Sequence, residues 1–187
     1  MGLTITHAGT TQTQTSQSPS RGRVIRVTPT LDNGTTFGSG EVLFDATEIP
    51  NAVASPGGAA ELSAVYFNNH FDTDVNIDLV FMQVQTNLGT KNSAVGSGSL
   101  WTEDLAKSAK VLGFLESDSS DSQIDLVNSL FSRISHANSA EDSGFDVGML
   151  IQAEPGSSSI YFSGIDRTGS LDYGNDDFEF IFHIRDL

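Results

Sequence analysis

The stretch from Asp74 to Gln85 is the longest run in this chain with the pattern of a β-strand. Its first half alternates, because Val75, Ile77 and Leu79 are apolar and the residues between them are polar. Its second half, from Leu79 to Met82, is apolar at every position. A strand that begins half-solvated and becomes covered on both faces is typical of the middle of a sheet with a second layer packed over part of it. The chain is therefore expected to stack sheets.

Strand patterns recur along the rest of the chain, and turn residues separate them. The 187 residues include 18 Gly, which cluster with Ser, Asn and Asp between the apolar runs. Only Trp101 to Lys110 has the character of a short helix, with Thr102 as its N-cap. The other strand candidates are residues 24–31, 41–45, 60–67, 110–115, 145–152, 159–165 and 178–185. This order predicts an all-β fold: an antiparallel two-sheet sandwich, jelly-roll-like, with one short helix.

Two local pairings and one ambiguous segment complete this prediction. Residues 60–67 and 74–85 are expected to form an antiparallel hairpin. Glu154 to Ser157 has the residues of a hairpin turn between the strands before and after it. Ile124 to Ile134 fits either a helical period or extended chain, and the β context favours strand or irregular structure.

Charge and composition exclude several classes of protein. Twenty-four acidic residues against nine basic ones give a formal charge of −15, which repels nucleic acids and anionic membranes. Without cysteine, the chain has neither a disulfide frame nor a thiolate metal site. No window approaches ~18 consecutive apolar residues, and the start lacks the basic and apolar regions of a secretory leader. A soluble protein without nucleic-acid or membrane partners is expected.

The first 20 residues differ from the rest, because they contain no Asp, Glu, Lys or Arg and are rich in Thr, Ser and Gln. Such a segment is either a disordered leader or an extended arm that lies on a neighbouring subunit. We expect an arm over residues 1–20 and a sandwich body over residues 21–187. Three arginines follow the arm within six positions. The predicted capsid or subunit contacts are Thr4, Thr6, Thr10, Thr13, Arg21, Arg23 and Arg26.

Patterns that carry chemistry are weak throughout the sequence. The histidines, His7, His70, His136 and His183, lack the close pairing of metal ligands. The acidic clusters lack the Gly and closing Glu of a calcium loop, so solvated loops are the better interpretation. Neither a phosphate-binding loop nor a nucleophile elbow occurs. We therefore expect no enzyme activity, no cofactor and no metal.

Several segments, taken in order, resemble small virion structural proteins of tailed bacteriophages. The resemblance covers roughly residues 23 to 185. Its motifs are hydrophobic spacings: residues 26–30, Val42-Leu43-Phe44, residues 78–81, residues 104–107 leading to 111–113, residues 124–126, Ile160-Tyr161-Phe162 and the closing Phe178-Glu179-Phe180. The resemblance implies a capsid cement, or decoration, protein with a jelly-roll body on the outer surface of the capsid. It also implies the major capsid protein as partner and a homo-oligomer, expected to be a trimer.

Two other functions fit the same sequence. One is a head-fibre, tail or adaptor component of the virion. The other is a carbohydrate-binding module, in which Tyr66, Trp101, Tyr161 or Tyr173 stacks on sugar rings.

Overall fold

The computed structural model describes residues 3–7, 10–14, 22–32, 34–71, 73–97, 107–117, 123–134 and 148–187. These residues form fourteen strands, and residues 107–109 are helical. The strands are β1 (Leu3–His7), β2 (Thr10–Gln14), β3 (Gly22–Val27), β4 (Thr36–Phe37), β5 (Val42–Ile49), β6 (Ala59–Asn69), β7 (Ile77–Met82), β8 (Val111–Ser117), β9 (Gln123–Asp125), β10 (Leu130–Ile134), β11 (Met149–Gln152), β12 (Ile160–Asp166), β13 (Leu171–Asp172) and β14 (Phe178–Asp186).

Two antiparallel sheets pack face to face in a sandwich. The six-stranded sheet has the order β3-β14-β6-β10-β9, and β11 also pairs with β6. The four-stranded sheet has the order β5-β12-β7-β8. From β3 to β14 the chain crosses repeatedly between the two sheets, and this strand order is that of a jelly roll. The predicted all-β, antiparallel, jelly-roll-like sandwich is confirmed.

The core between the sheets is made of phenylalanine rings on alternate positions of the strands. Phe67 and Phe180 stack within the six-stranded sheet with centroids 5.1 Å apart. Phe162 projects from β12 of the other sheet and packs edge-on against Phe180 at 5.3 Å and Phe182 at 5.0 Å. All four side chains are almost completely buried. Strand alternation thus places one apolar side chain in every second position at the contact of the sheets.

Strand β7 lies between β12 and β8, so the prediction of a central strand is confirmed. Leu79 and Phe81 face the core between the sheets. Val80 and Met82 belong to a second apolar cluster on the opposite side, to which Leu88 and residues of neighbouring segments contribute. This second cluster explains why the end of the strand is apolar at every position.

Both predicted hairpin pairings in the body are wrong. β6 and β7 lie in different sheets, because the loop between them carries the chain across the sandwich. The turn at Glu154 to Ser157 exists, with Ser157 N donating to Glu154 O at 2.9 Å and Gly156 at φ 90°. It joins β11 to β12, which again lie in opposite sheets. A turn motif in the sequence determines only that the chain reverses its direction locally. Which strands pair depends on the Greek-key connections that cross between the sheets.

The ambiguous segment after Ile124 is extended, since β9 and β10 form an antiparallel pair there. Of the predicted helix, residues 107–109 are helical and residues 101–106 lie outside the described residues. β4 and β13, two residues each, pair with each other and were not predicted. In the arm, β1 and β2 also pair with each other, so its backbone is extended but folds back as a hairpin.

Candidate docking face of the six-stranded sheet

The two sheets differ sharply in charge. The strands of the six-stranded sheet contain equal numbers of basic and acidic residues, so the formal charge of −15 lies entirely outside them. The strands of the four-stranded sheet carry only acidic residues. In the six-stranded sheet the charged residues are Arg23, Arg26, Arg133 and Arg185 with Glu61, Asp125, Glu179 and Asp186; in the four-stranded sheet they are Asp45, Glu48, Asp78, Glu116 and Asp166.

An apolar and aromatic line crosses the outer face of the six-stranded sheet, with one residue on each of five adjacent strands. We call it the cross-strand row, and its members are Val24, His183, Tyr66, Phe131 and Ile124. Val24 lies opposite His183 in the register of β3 and β14, and Phe131 lies opposite Ile124. The ring of Tyr66 is 5.4 Å from that of Phe131 and 5.1 Å from that of His183. The row is therefore continuous from one edge of the sheet to the other.

The alternation of each strand explains why these side chains point outward. Tyr66 stands between Val65 and Phe67, and His183 between Phe182 and Ile184, all four of which belong to the core. At the two edges, Val24 and Ile124 are each 60% exposed. An apolar residue on the solvent side of an alternating strand is the signal by which the row could have been found from the sequence.

Ion pairs flank the row and neutralise its acidic neighbours. Arg26 Nη1 donates to Glu179 Oε2 at 3.0 Å. At the other end of β14, Arg185 pairs with Glu61. Exposed pairs of this kind add little to stability, but they leave the face without the negative excess of the rest of the molecule.

The predicted contact residues are only partly brought together. Arg26 borders the row, whereas Arg23 points toward the end of the sandwich, where it donates to the carbonyl oxygens of Asn51 and Ala52 and pairs with Asp186. Thr4 lies opposite Thr13 in the hairpin of the arm, Thr10 lies opposite His7, and Thr6 is in the same hairpin. Arg21 lies outside the described residues. A contact role for these residues stays a prediction.

The four aromatic residues considered for sugar binding do not form one patch. Tyr173 is completely buried against Phe37, Phe71 and Phe178, so the expectation that it stacks on a sugar is wrong. Tyr161 packs on the cluster outside the four-stranded sheet, and Trp101 lies outside the described residues. Only Tyr66 belongs to the cross-strand row.

A buried carboxylate holds the loop between β12 and β13. Asp166 Oδ1 accepts hydrogen bonds from Thr168 N at 2.8 Å and from Tyr173 Oη at 3.4 Å, and Oδ2 accepts one from Gly169 N at 3.1 Å. Burial raises the pKa of Asp166, although these hydrogen bonds partly oppose the shift. Burial and the neighbouring charge of Asp166 also raise the pKa of Tyr173. Both side chains form hydrogen bonds that hold this loop in place, so we assign them a structural role.

Within the described ranges, no group of three or more His, Cys, Asp or Glu side chains is placed to hold a metal ion. His70 Nε2 lies 3.2 Å from the side-chain nitrogen of Asn68, and His183 belongs to the row. His136 lies outside the described residues.

No family model, curated protein or solved structure matches this chain. The resemblance to phage virion proteins therefore depends on the hydrophobic spacings of the sequence. Among the helical residues that the structure describes, no segment has the length and apolar character of a membrane span.

Proposed function

We propose that this chain is a non-enzymatic cement, or decoration, protein of a bacteriophage capsid. It binds the outer surface of the shell, stabilises contacts of the major capsid protein and acts as a homo-oligomer, a trimer in the simplest symmetry. The observation that supports this proposal best is the cross-strand row: a charge-balanced apolar face on a jelly roll of formal charge −15. Such a face is suited to adhesion, because an acidic body docks most readily where its own charge is balanced.

The size of the face also suits a protein partner. Five strands at ~4.8 Å spacing and about six residues at ~3.3 Å give an area on the order of 500 Å² in projection. The side chains that project from the sheet add accessible area to this projection, so the face approaches the ~800 Å² per partner of a standard interface. The aromatic centre between Arg and Glu pairs follows the usual arrangement of an interface core inside a polar rim.

Carbohydrate binding is the second candidate, and Tyr66 is the observation in its favour. Jelly rolls also occur in lectins, and an exposed tyrosine can stack on a sugar. However, the rings of Tyr66 and Phe131 lie at 16° to each other with centroids 5.4 Å apart, so each covers part of the other. Isothermal titration with common polysaccharides separates the two functions: saturable binding that Tyr66→Ala abolishes would favour the module.

Reconstitution on capsids tests the cement proposal. The capsids come from the phage that encodes the chain and are assembled without it; bound protein is then measured after sedimentation. We expect saturable binding that Ile124→Asp reduces, since it places a charge in the row. Val111→Asp is the matched control, because Val111 is also exposed but lies on β8 of the other sheet. No binding by the wild-type protein would refute the proposal, and equal loss in both variants would remove the row as its site.

The same assay tests the predicted contacts of the arm. Deletion of residues 1–20 and the substitution Arg26→Ser should each lower occupancy. Arg23 is not suited to this test, because its guanidinium group holds two backbone carbonyls and a carboxylate of its own chain. Full occupancy after the deletion, with unchanged heat resistance of the particles, would assign attachment to the body alone; full occupancy of Arg26→Ser would remove Arg26 from the contact.

A further inference from the structure

An open groove of about 420 Å³ lies at the corner of the six-stranded sheet where β3 begins. Gly22, Val24, Ser63 and His183 help to line it. Gly22 leaves the groove unfilled, since a Cβ atom built there would meet nothing closer than the backbone oxygen of Ile184 at 3.9 Å. An irregularity in the pairing of β6 with β14 adds Ser63 to the lining, and its Oγ donates to the carbonyl oxygen of His183 at 2.9 Å. The missing side chain at Gly22 and the irregular pairing of β6 with β14 thus shape the groove at the β3 edge of the sheet.

An apolar knob lies at the tip of the β9–β10 hairpin. Leu126 is 55% exposed and Val127 is 79% exposed. Val127 also has φ 78°, a left-handed conformation that is costly for a β-branched residue. Its amide donates to Asp125 Oδ1 at 2.7 Å, and the amide of Leu126 donates to Ser129 O at 2.9 Å. The tip is therefore held in a strained shape, and within the described part of the chain both of its apolar side chains are more than half exposed.

The knob and the groove occupy opposite corners of one sheet. β3 forms one edge and β9 the other, about 19 Å apart at ~4.8 Å per strand. Along the strands, the knob follows the end of β6 at Asn69, whereas the groove lies near Glu61. The cross-strand row connects the two corners. A surface with a knob at one corner and a recess at the other can join to a copy of itself.

We infer that copies of this chain associate by seating the Leu126–Val127 knob of one copy in the Gly22–Val24 groove of the next. Charge favours this face over that of the other sheet, because the strands of the six-stranded sheet contain as many basic as acidic residues, whereas those of the four-stranded sheet carry only acidic ones. The head-to-tail contact closes into a ring when the rotation between copies permits, and three copies give the trimer proposed above. The inference deepens the oligomeric part of the proposed function. It is tested on the purified chain alone, so self-association can fail while capsid binding holds, and the reverse.

Sedimentation velocity over a concentration series provides the test. The wild-type chain should self-associate, and more strongly at about 0.5 M than at about 0.05 M NaCl, because salt screens the repulsion between acidic copies. Gly22→Phe fills the groove, and Val127→Gly removes the knob while relieving the positive φ. Each should weaken association by about tenfold or more, the factor expected when an apolar side chain loses its burial. Val111→Asp, on the other sheet, should associate like the wild type.

Thermal unfolding separates a lost contact from a damaged fold. Val127→Gly should leave the midpoint of a dilute sample unchanged or raised, because glycine adopts φ 78° without strain. Mixing the two variants should restore dimers, since the intact knob of the Gly22→Phe chain meets the intact groove of the Val127→Gly chain. A monomeric wild-type protein, or oligomers that both variants retain, would overturn the inference. Loss of association only on deletion of residues 1–20 would also overturn it, by assigning the contact to the arm.

Discussion

Replacing Phe162 by alanine should remove a large part of the stability of this fold. The ring of Phe162 is fully buried and lies between the two sheets. Its centroid is 5.3 Å from those of Phe44 and Phe180, 5.0 Å from that of Phe182 and 6.3 Å from that of Phe81. Phe162 therefore contacts rings of both sheets, as its neighbour Phe180 also does.

The expected cost of Phe162→Ala is about 4 kcal/mol, within the ~3–5 kcal/mol observed when a buried Phe is truncated and leaves a cavity. Edge-to-face ring pairs are worth ~0.5–1.5 kcal/mol each beyond buried area, which favours the upper half of that range. A domain of this size has a free energy of unfolding on the order of 5–15 kcal/mol. Phe162→Leu keeps part of the volume and should cost about 1–2 kcal/mol.

Urea unfolding followed by circular dichroism measures these changes. The midpoint should shift while the slope of the free energy against urea stays constant. Val111→Ala is the matched control, because Val111 is 48% exposed on the edge strand β8, and it should cost within about 1 kcal/mol. If Phe162→Ala costs no more than this control, the two sheets do not pack through β12 and β14 as described.

Gly164→Ala should destabilise the fold by about 1–3 kcal/mol, because the new Cβ would overlap Cε1 of the Phe44 ring; an unchanged urea midpoint would place Phe44 elsewhere. Burial raises the pKa of Asp166, so the folded state binds the proton of this carboxyl group more tightly than the unfolded state does. The stability of the fold should therefore fall as the pH rises from the unfolded-state pKa of ~3.9 through the higher folded-state pKa. The free energy of unfolding of wild type relative to Asp166→Asn should therefore decrease across that window, and parallel curves would contradict the shift. Arg23→Ser should cost about 1–3 kcal/mol, since two carbonyls and a carboxylate lose their donor, whereas Arg26→Ser should stay within ~1 kcal/mol; equal midpoints for the two would refute the distinction.

Part of the candidate face could be read from the sequence, and part could not. The strands that contain Val24, Tyr66 and His183 follow from alternation, and the neutral balance of their charges is a count of residues. That these three residues form one line with Phe131 does not follow, because each comes from a different part of the chain. Their convergence depends on β14 pairing with both β3 and β6, which only the folded sheet specifies.

The sequence by itself determined the strand content, the middle position of β7, the excess of acidic residues and the lack of thiols. These properties depend on local periodicity and composition, which each segment carries alone. The tertiary structure decided the pairing partners, the sheet to which each strand belongs, and the separation of knob and groove to opposite corners. It also decided that Tyr173 lies in the core and that the guanidinium group of Arg23 binds groups of its own chain. The physical reason is that strands are short and their edges chemically alike, so the burial of rings such as Phe162 between two sheets selects one arrangement among many that satisfy the same alternation.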